Sequence, residues 1–201
     1  MTGLRDLIEA IAAGDSARVF AMLEAQPELA RPSLAEGATR ADAAANFLGA
    51  IGHYVYAGDT ALHVAAAGYR AEAAERLLAL GADVAARNRR GAEPLHYAAD
   101  GAPGAAHWDP AAQAAIIARL IAAGADPNAA DKGGVTPLHR AVRTRSAAAV
   151  EALLAGGADP SRKNAHASTA RDLATKATGR GGSGSPEAKA EQARIVALLG
   201  A

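Results

Sequence analysis

Apolar and polar positions along the chain recur in a fixed order. Three near-copies of one phrase, GDTALHVAA from Gly58, GAEPLHYAA from Gly91 and GVTPLHRAV from Gly134, each lead into a run of apolar residues at helical spacing and then a glycine. Such runs include Ile116, Ile117, Leu120 and Ile121, or Val150, Leu153 and Leu154, and the closing glycines are Gly81, Gly124 and Gly157. The pattern predicts a short helix, a turn, a second helix, and then a polar, turn-rich stretch such as ADVAARNRRGAE or ADPNAADKGGV.

Individual residues fit each step. Thr60 and Thr136 stand where a hydroxyl can accept an otherwise unpaired amide of the first helical turn. Pro94 and Pro137 follow, at the position where a missing N–H costs nothing. The three glycines supply the left-handed conformation that ends a helix. Leu62, Leu95 and Leu138 mark the phrase at intervals of 33 and 43 residues, and a degraded copy, STARDLA from Ser168, restores the 33-residue spacing of Thr136 to Thr169. A period of this size means a stacked array of small units in place of one globular core.

The T-P-L-H-x-A phrase and the L-L-x-x-G-A-D ending, recurring together, resemble ankyrin repeats over most of residues 58–201. The opening, DLIEAIAAGDSARVFAMLEAQPEL from Asp6, resembles a divergent first unit with Leu7, Ile11, Val19, Met22 and Leu23 inward. The resemblance implies an all-α ankyrin-repeat solenoid of about five helix-turn-helix units with short inter-repeat loops like β-hairpins. The units fall at 4–32, 58–90, 91–132, 134–166 and 167–201 within one domain, 1–201, and the chain as a whole is most similar to bacterial ankyrin proteins with inserts.

Three inserts interrupt the period, at 33–57, 100–110 and 177–186. The first contains ADAAANFLGAIGHYVY, which reads as a helix with Phe47, Leu48 and Ile51 on one side, covering the open edge of the stack. The second holds Trp108 beside His107, with Asp109 and Pro110 starting the next helix. The third is glycine-rich and ends in Ser185 and Pro186; it shares a corner of the repeat with the second. Two positions depart from the phrase itself. Glu93 replaces the capping threonine, and Arg171 with Asp172 replaces leucine and histidine in the last unit.

Composition narrows the chemistry. Half of the 201 residues are hydrophobic but only 3% are aromatic, so adjacent helices must pack through many small contacts. Cysteine is absent, which removes disulfides and thiol chemistry. No stretch of about 20 apolar residues could span a membrane. The acidic amphipathic N-terminus, with Asp6 and Glu9, differs from a secretory signal, and the expected location is the cytoplasm. The formal net charge of zero hides a gradient: residues 1–86 hold 6 Lys or Arg against 11 Asp or Glu, and residues 87–201 hold 15 against 10.

No catalytic motif is present, and the expectation is a protein that is not an enzyme and carries no cofactor. A nucleophile elbow is lacking, and the carboxylates are scattered. His63, His96 and His139 belong to the repeat phrase, where a ring nitrogen bonds the cap and the neighbouring loop. His53, His107 and His166 have no second ligand at metal spacing. The basic clusters lack interleaved aromatics, which argues against nucleic acid.

The expected function is therefore a protein-binding scaffold, monomeric, that takes an acidic partner on its inter-repeat loops and the exposed side of its first helices. Candidate contacts are Arg87, Arg89, Arg90, Tyr97, Asp100, Lys132, Arg140, Arg143, Arg162, Lys163 and His166. The alternative is small-molecule or anion binding at the edge between the 100–110 and 177–186 inserts, where consecutive amides and Arg180 could hold an anion.

Overall fold

Each unit begins where the sequence places its cap. In a computed structural model, which describes residues 3–175 and 186–200, Thr60 and Thr136 occupy the N-cap position of α3 (Ala61–Ala67) and α7 (Pro137–Arg143). Their hydroxyls accept from the amides of His63 and His139. Pro94 opens α5 (Pro94–Ala98) as Pro137 opens α7, but behind Glu93 at the cap position. The remaining first helices are α1 (Leu4–Ala13) and α9 (Ala170–Thr175). Each is followed by a second helix: α2 (Ser16–Ala25), α4 (Ala71–Ala79), α6 (Pro110–Ala122), α8 (Ala147–Ala155) and α10 (Pro186–Leu199).

The pairs stack in sequence order. First helices pack on first helices, α1 on α3, α3 on α5, α5 on α7 and α7 on α9, while second helices form a parallel row from α2 through α4, α6 and α8 to α10. The core runs along the row as a ribbon of Leu7, Ile11, Leu23, Leu62, Leu77, Leu95, Ile116, Leu120, Leu138, Val150, Leu153 and Ile195, all buried. Alanine lets the helices approach, and so does Gly156, where an added Cβ would run into Ile121 Cδ1. Gly81, Gly124 and Gly157 take φ values of 86°, 100° and 91°, the left-handed stops that the sequence predicts.

Arginines hold helix ends. Arg70 donates to the carbonyls of Ile11 (3.3 Å) and Ala12 (3.2 Å) at the end of α1 in the preceding unit, and Arg171 does the same for Leu199 of α10 within the last unit. In the last unit Asp172 replaces the repeat histidine without losing the cap. Its carboxylate accepts from the Thr169 amide and hydroxyl, both at 2.8 Å.

The 33–57 insert departs from expectation. It is not an α-helix: Ala44–Asn46 and Gly49–Ile51 are single 3-10 turns around a two-residue antiparallel ladder, β1 (Phe47–Leu48) with β2 (His53–Tyr54). Two glycines interrupt the alanine-rich run before a helix can propagate, and Gly52 turns the hairpin at φ 62°. The aromatic run that follows favours extended backbone. Phe47 and Tyr54 then face each other at 4.8 Å between ring centroids. Of the three apolar residues expected on one helix face, Ile51 is buried, Leu48 is half-buried and Phe47 is exposed.

The hairpin lies along the first-helix side of the array. Arg5 of α1 donates to Ala45 O and Asn46 Oδ1, and the His53 ring sits 4.4 Å from that of Tyr97 on α5. Its tip meets the second insert, since Gly52 packs against the His107 ring. Trp108 serves the fold: its indole N–H donates to Gln113 Oε1 at 2.8 Å, and Gln113 in turn donates to Ala98 O. Residues 177–185 of the third insert lie outside the described residues, and so does the edge expected between it and the second.

Candidate functional site

Three loops form the rim of the first-helix side, and the same bonds build each. Asn88, Asp131 and Asn164 each donate their amide to a carbonyl four residues on, at Ala92, Val135 and Ser168. The side-chain oxygen of each accepts two amides within the turn, such as Gly133 N–H (2.8 Å) and Val135 N–H (3.0 Å) at Asp131. Adjacent loops are joined by Arg89 N–H to Ala57 O (2.8 Å), Lys132 N–H to Arg90 O (2.9 Å) and Ala165 N–H to Gly133 O (2.9 Å). The loop tips are therefore held at fixed spacing.

Behind the rim runs a ladder of histidines. The Thr60 amide donates to His63 Nδ1, which leaves the proton on Nε2 to donate to Ala92 O at 3.1 Å. His96 repeats this with the Glu93 amide and Val135 O (3.0 Å), and His139 with the Thr136 amide and Ser168 O (3.0 Å). Every repeat histidine thus grips the carbonyl just before the cap of the next unit. Burial holds all three rings neutral: it lowers the pKa of His63 and His139 and brings that of His96 down to about 4.

Glu93 shows what the missing threonine costs. Its side chain is buried and reaches Arg87 at 2.8 Å, but Oε2 has no hydrogen-bond partner. Burial raises the carboxyl pKa, and Arg87 offsets this only in part.

A second polar cluster lies between the inner helices and the hairpin. Tyr97 is 1% exposed, so this residue, expected among the surface anchors, belongs instead to the interior. Its hydroxyl donates to the Asp59 carboxylate at 2.9 Å, and Asn88 Nδ2 donates to both. Burial and the Asp59 carboxylate push the Tyr97 pKa up. Arg140 lies against the other side of the ring and donates to Asp100 Oδ2 at 3.0 Å, with Asp131 Oδ2 at 3.6 Å. His53 Nε2 is 3.3 Å from the same Asp100 oxygen, and Nδ1 faces Tyr54 O at 2.9 Å. Burial opposes ionisation of Asp100, but Arg140 and His53 outweigh it and lower the pKa.

Of these groups, His53, Tyr54, Tyr97, Asp100, Asp131 and Arg140 line a cavity of about 320 Å³, and Asp59 and Asn88 lie outside its wall. Of the candidate contacts, Arg90, Tyr97, Asp100, Arg140 and Arg143 line it. Arg87, Lys132, Arg162, Lys163 and His166 are exposed in the loops, and Arg89 is exposed with its guanidinium on Ala38 O. Sequence reasoning missed His53, Tyr54, Tyr56 and Asp131, which complete the cavity wall. The aromatic run HYVY was the available signal for the first three.

Among the described residues, no three His, Asp or Glu side chains converge on a position for a metal, and no helix is long and apolar enough to cross a membrane. A family model for the ankyrin repeat matches residues 57–89, and a model for ankyrin repeats in many copies matches residues 120–174. No curated protein matches the chain at a significant level. The matched segments contain the threonine-capped helices α3 and α7, His63 and His139 of the ladder and the three glycine stops described above, and the chain belongs to the ankyrin repeat proteins.

Proposed function

We propose that this chain is a non-enzymatic scaffold that holds an acidic protein partner on its inter-repeat loops and the exposed part of its first-helix face. Ankyrin repeats are generally protein–protein interaction modules. The observation that carries the finer reading is the set of exposed cations on this side that stand outside the salt bridges among the described residues. Among the described residues, Arg90, Lys132, Arg143, Arg162 and Lys163 are exposed and make no salt bridge. They project from turns cross-linked by backbone bonds, so a partner meets them without first ordering the loops. Charge of one sign on a rigid rim speeds encounter with a partner of the other sign and suppresses wrong partners. The reading takes the chain as a monomer in the cytoplasm.

The test is an affinity series with a partner isolated on the intact chain. The triple change Lys132→Glu, Arg162→Glu and Lys163→Glu is expected to weaken binding at least tenfold and to flatten its dependence on salt. Arg18→Glu with Arg76→Glu, on the second-helix side, is expected to change it little. Equal effects from both sets would reject the loop face.

A further inference from the structure

We propose that the cavity roofed by the 47–56 hairpin is a binding site for an oxyanion group, a carboxylate or a phosphate, on a small ligand or on an acidic side chain. The site goes beyond the scaffold reading and does not depend on it, because a cavity can fill whether or not a protein covers the rim.

The repeats alone would leave the first helices as an open face here. The insert closes it: Gly52, His53, Tyr54 and Tyr56 form the roof, and Tyr97 with Arg140 forms the floor. The roof is held on both sides, by Val55 N–H to Asn46 O at 2.9 Å within the hairpin and by Ala38 N–H to Val55 O at 2.7 Å beside it. At about 320 Å³ the space lies at the small end of ligand pockets, which suits one compact polar group better than a large apolar one.

Charge decides which group. Arg140 is spent on Asp100 and Asp131, at 3.0 and 3.6 Å. Arg90 and Arg143 line the same cavity, and among the described residues neither has a carboxylate partner. Arg90 lies over the Tyr56 ring at 4.2 Å, and among the described residues its guanidinium N–H groups have no acceptor. Three arginines against two aspartates leave an excess of one positive charge in a partly enclosed space, where a guanidinium attracts an oxyanion more strongly than on an open surface. A neighbouring cavity of about 170 Å³ shares Tyr54, Tyr56 and Arg90 and adds Arg40 and Arg89, so the positive character continues toward the hairpin's outer side.

Calorimetric titration of the full chain with inorganic phosphate, with succinate and with an N-acetylated, amidated triglutamate peptide tests the site, with amide NMR to locate it. Saturable binding of at least one probe is expected, with shifts at the Gly52, Tyr54 and Arg143 amides. The double change Arg90→Ala and Arg143→Ala is expected to weaken it at least tenfold while leaving the circular dichroism spectrum unchanged. Arg18→Ala with Arg76→Ala removes two charges from the second-helix side and should have no effect. Binding of phosphate or succinate identifies a free small ligand; binding of the peptide alone identifies the entry point of an acidic side chain. No saturable binding of any probe, or equal losses in both double variants, would overturn the proposal.

Discussion

Arg140 on α7 donates to the carboxylate of Asp100, 3.0 Å away and forty residues earlier in the chain. The bond joins the fourth unit to the start of the second insert, and His53 reaches the same oxygen from the first insert. Arg140 and His53 therefore meet on one carboxylate, which ties together three segments that the repeat pattern alone would not connect. The pKa of Arg140, a cation whose side chain is 14% exposed, is raised, because Asp100, Tyr97 and Asp131 outweigh the opposing effect of burial.

Removing that cation should cost more than removing an exposed one. Arg140→Met leaves Asp100 with His53 and Asp131 with its backbone amides but no guanidinium for either, and is expected to lower the unfolding free energy by roughly 2–4 kcal/mol. Arg119→Ala, at a side chain 48% exposed and paired with the similarly exposed Glu75, should cost less than about 1 kcal/mol. Urea denaturation of both variants checks the order, and equal losses would contradict it.

Glu93 offers the reverse case. Glu93→Thr removes a buried oxygen without a partner and restores the threonine that bonds histidine at Thr60 and Thr136. A gain of roughly 1 kcal/mol is expected, seen as a higher melting temperature. A loss would mean that the Arg87 pair matters more than the cap.

The repeats were legible because each local choice agrees with the others. Threonine or proline at the start, leucine and alanine inside, and glycine at φ near 90° at the end all specify one helix pair, and histidine links it to the next. The cavity was not legible because it depends on the hairpin, whose alanine-rich first half suggests a helix. Gly49 and Gly52 break that helix, and tertiary contacts fix the alternative: Arg5 holding Ala45 and Asn46, and His107 against Gly52. Tyr97 misled for a related reason. It occupies the variable position of the phrase, filled by Val64 and Arg140 in neighbouring units, and becomes buried only because Asp59, Asn88 and the hairpin close around it.

Acid should weaken the fold above pH 4. A histidine whose folded pKa lies below the unfolded value of about 6.5 binds its proton more readily when unfolded, so its neutral form supports folding at high pH and the support falls as pH drops below that value. With His96 at about 4, the loss at pH 5 is about 2 kcal/mol from this residue, and His63 and His139 act in the same direction. Glu93, with a raised pKa, works in the opposite sense, since its penalty is relieved on protonation. Denaturation at pH 7.5 and 5.0 measures the sum; His96→Gln should reduce the difference. Stability independent of pH over this interval would contradict the neutral ladder.

Gly52→Val tests the roof. The residue has φ 62°, and an added Cβ would come within 3.0 Å of the His107 ring. A branched side chain is strained there at a cost of roughly 1–2 kcal/mol. Faster hydrogen exchange at the Val55 amide is expected, with the His63, His96 and His139 amides unchanged. Unaltered exchange at Val55 would show that the hairpin does not rely on this turn.

The face used for binding is tested most directly by hydrogen-exchange mass spectrometry of the chain with and without its isolated partner. Protection is expected in the loops at 87–90, 131–134 and 162–166 and at the adjoining ends of α5 and α7, with α4, α6 and α8 unchanged. Protection confined to those second helices would contradict the account.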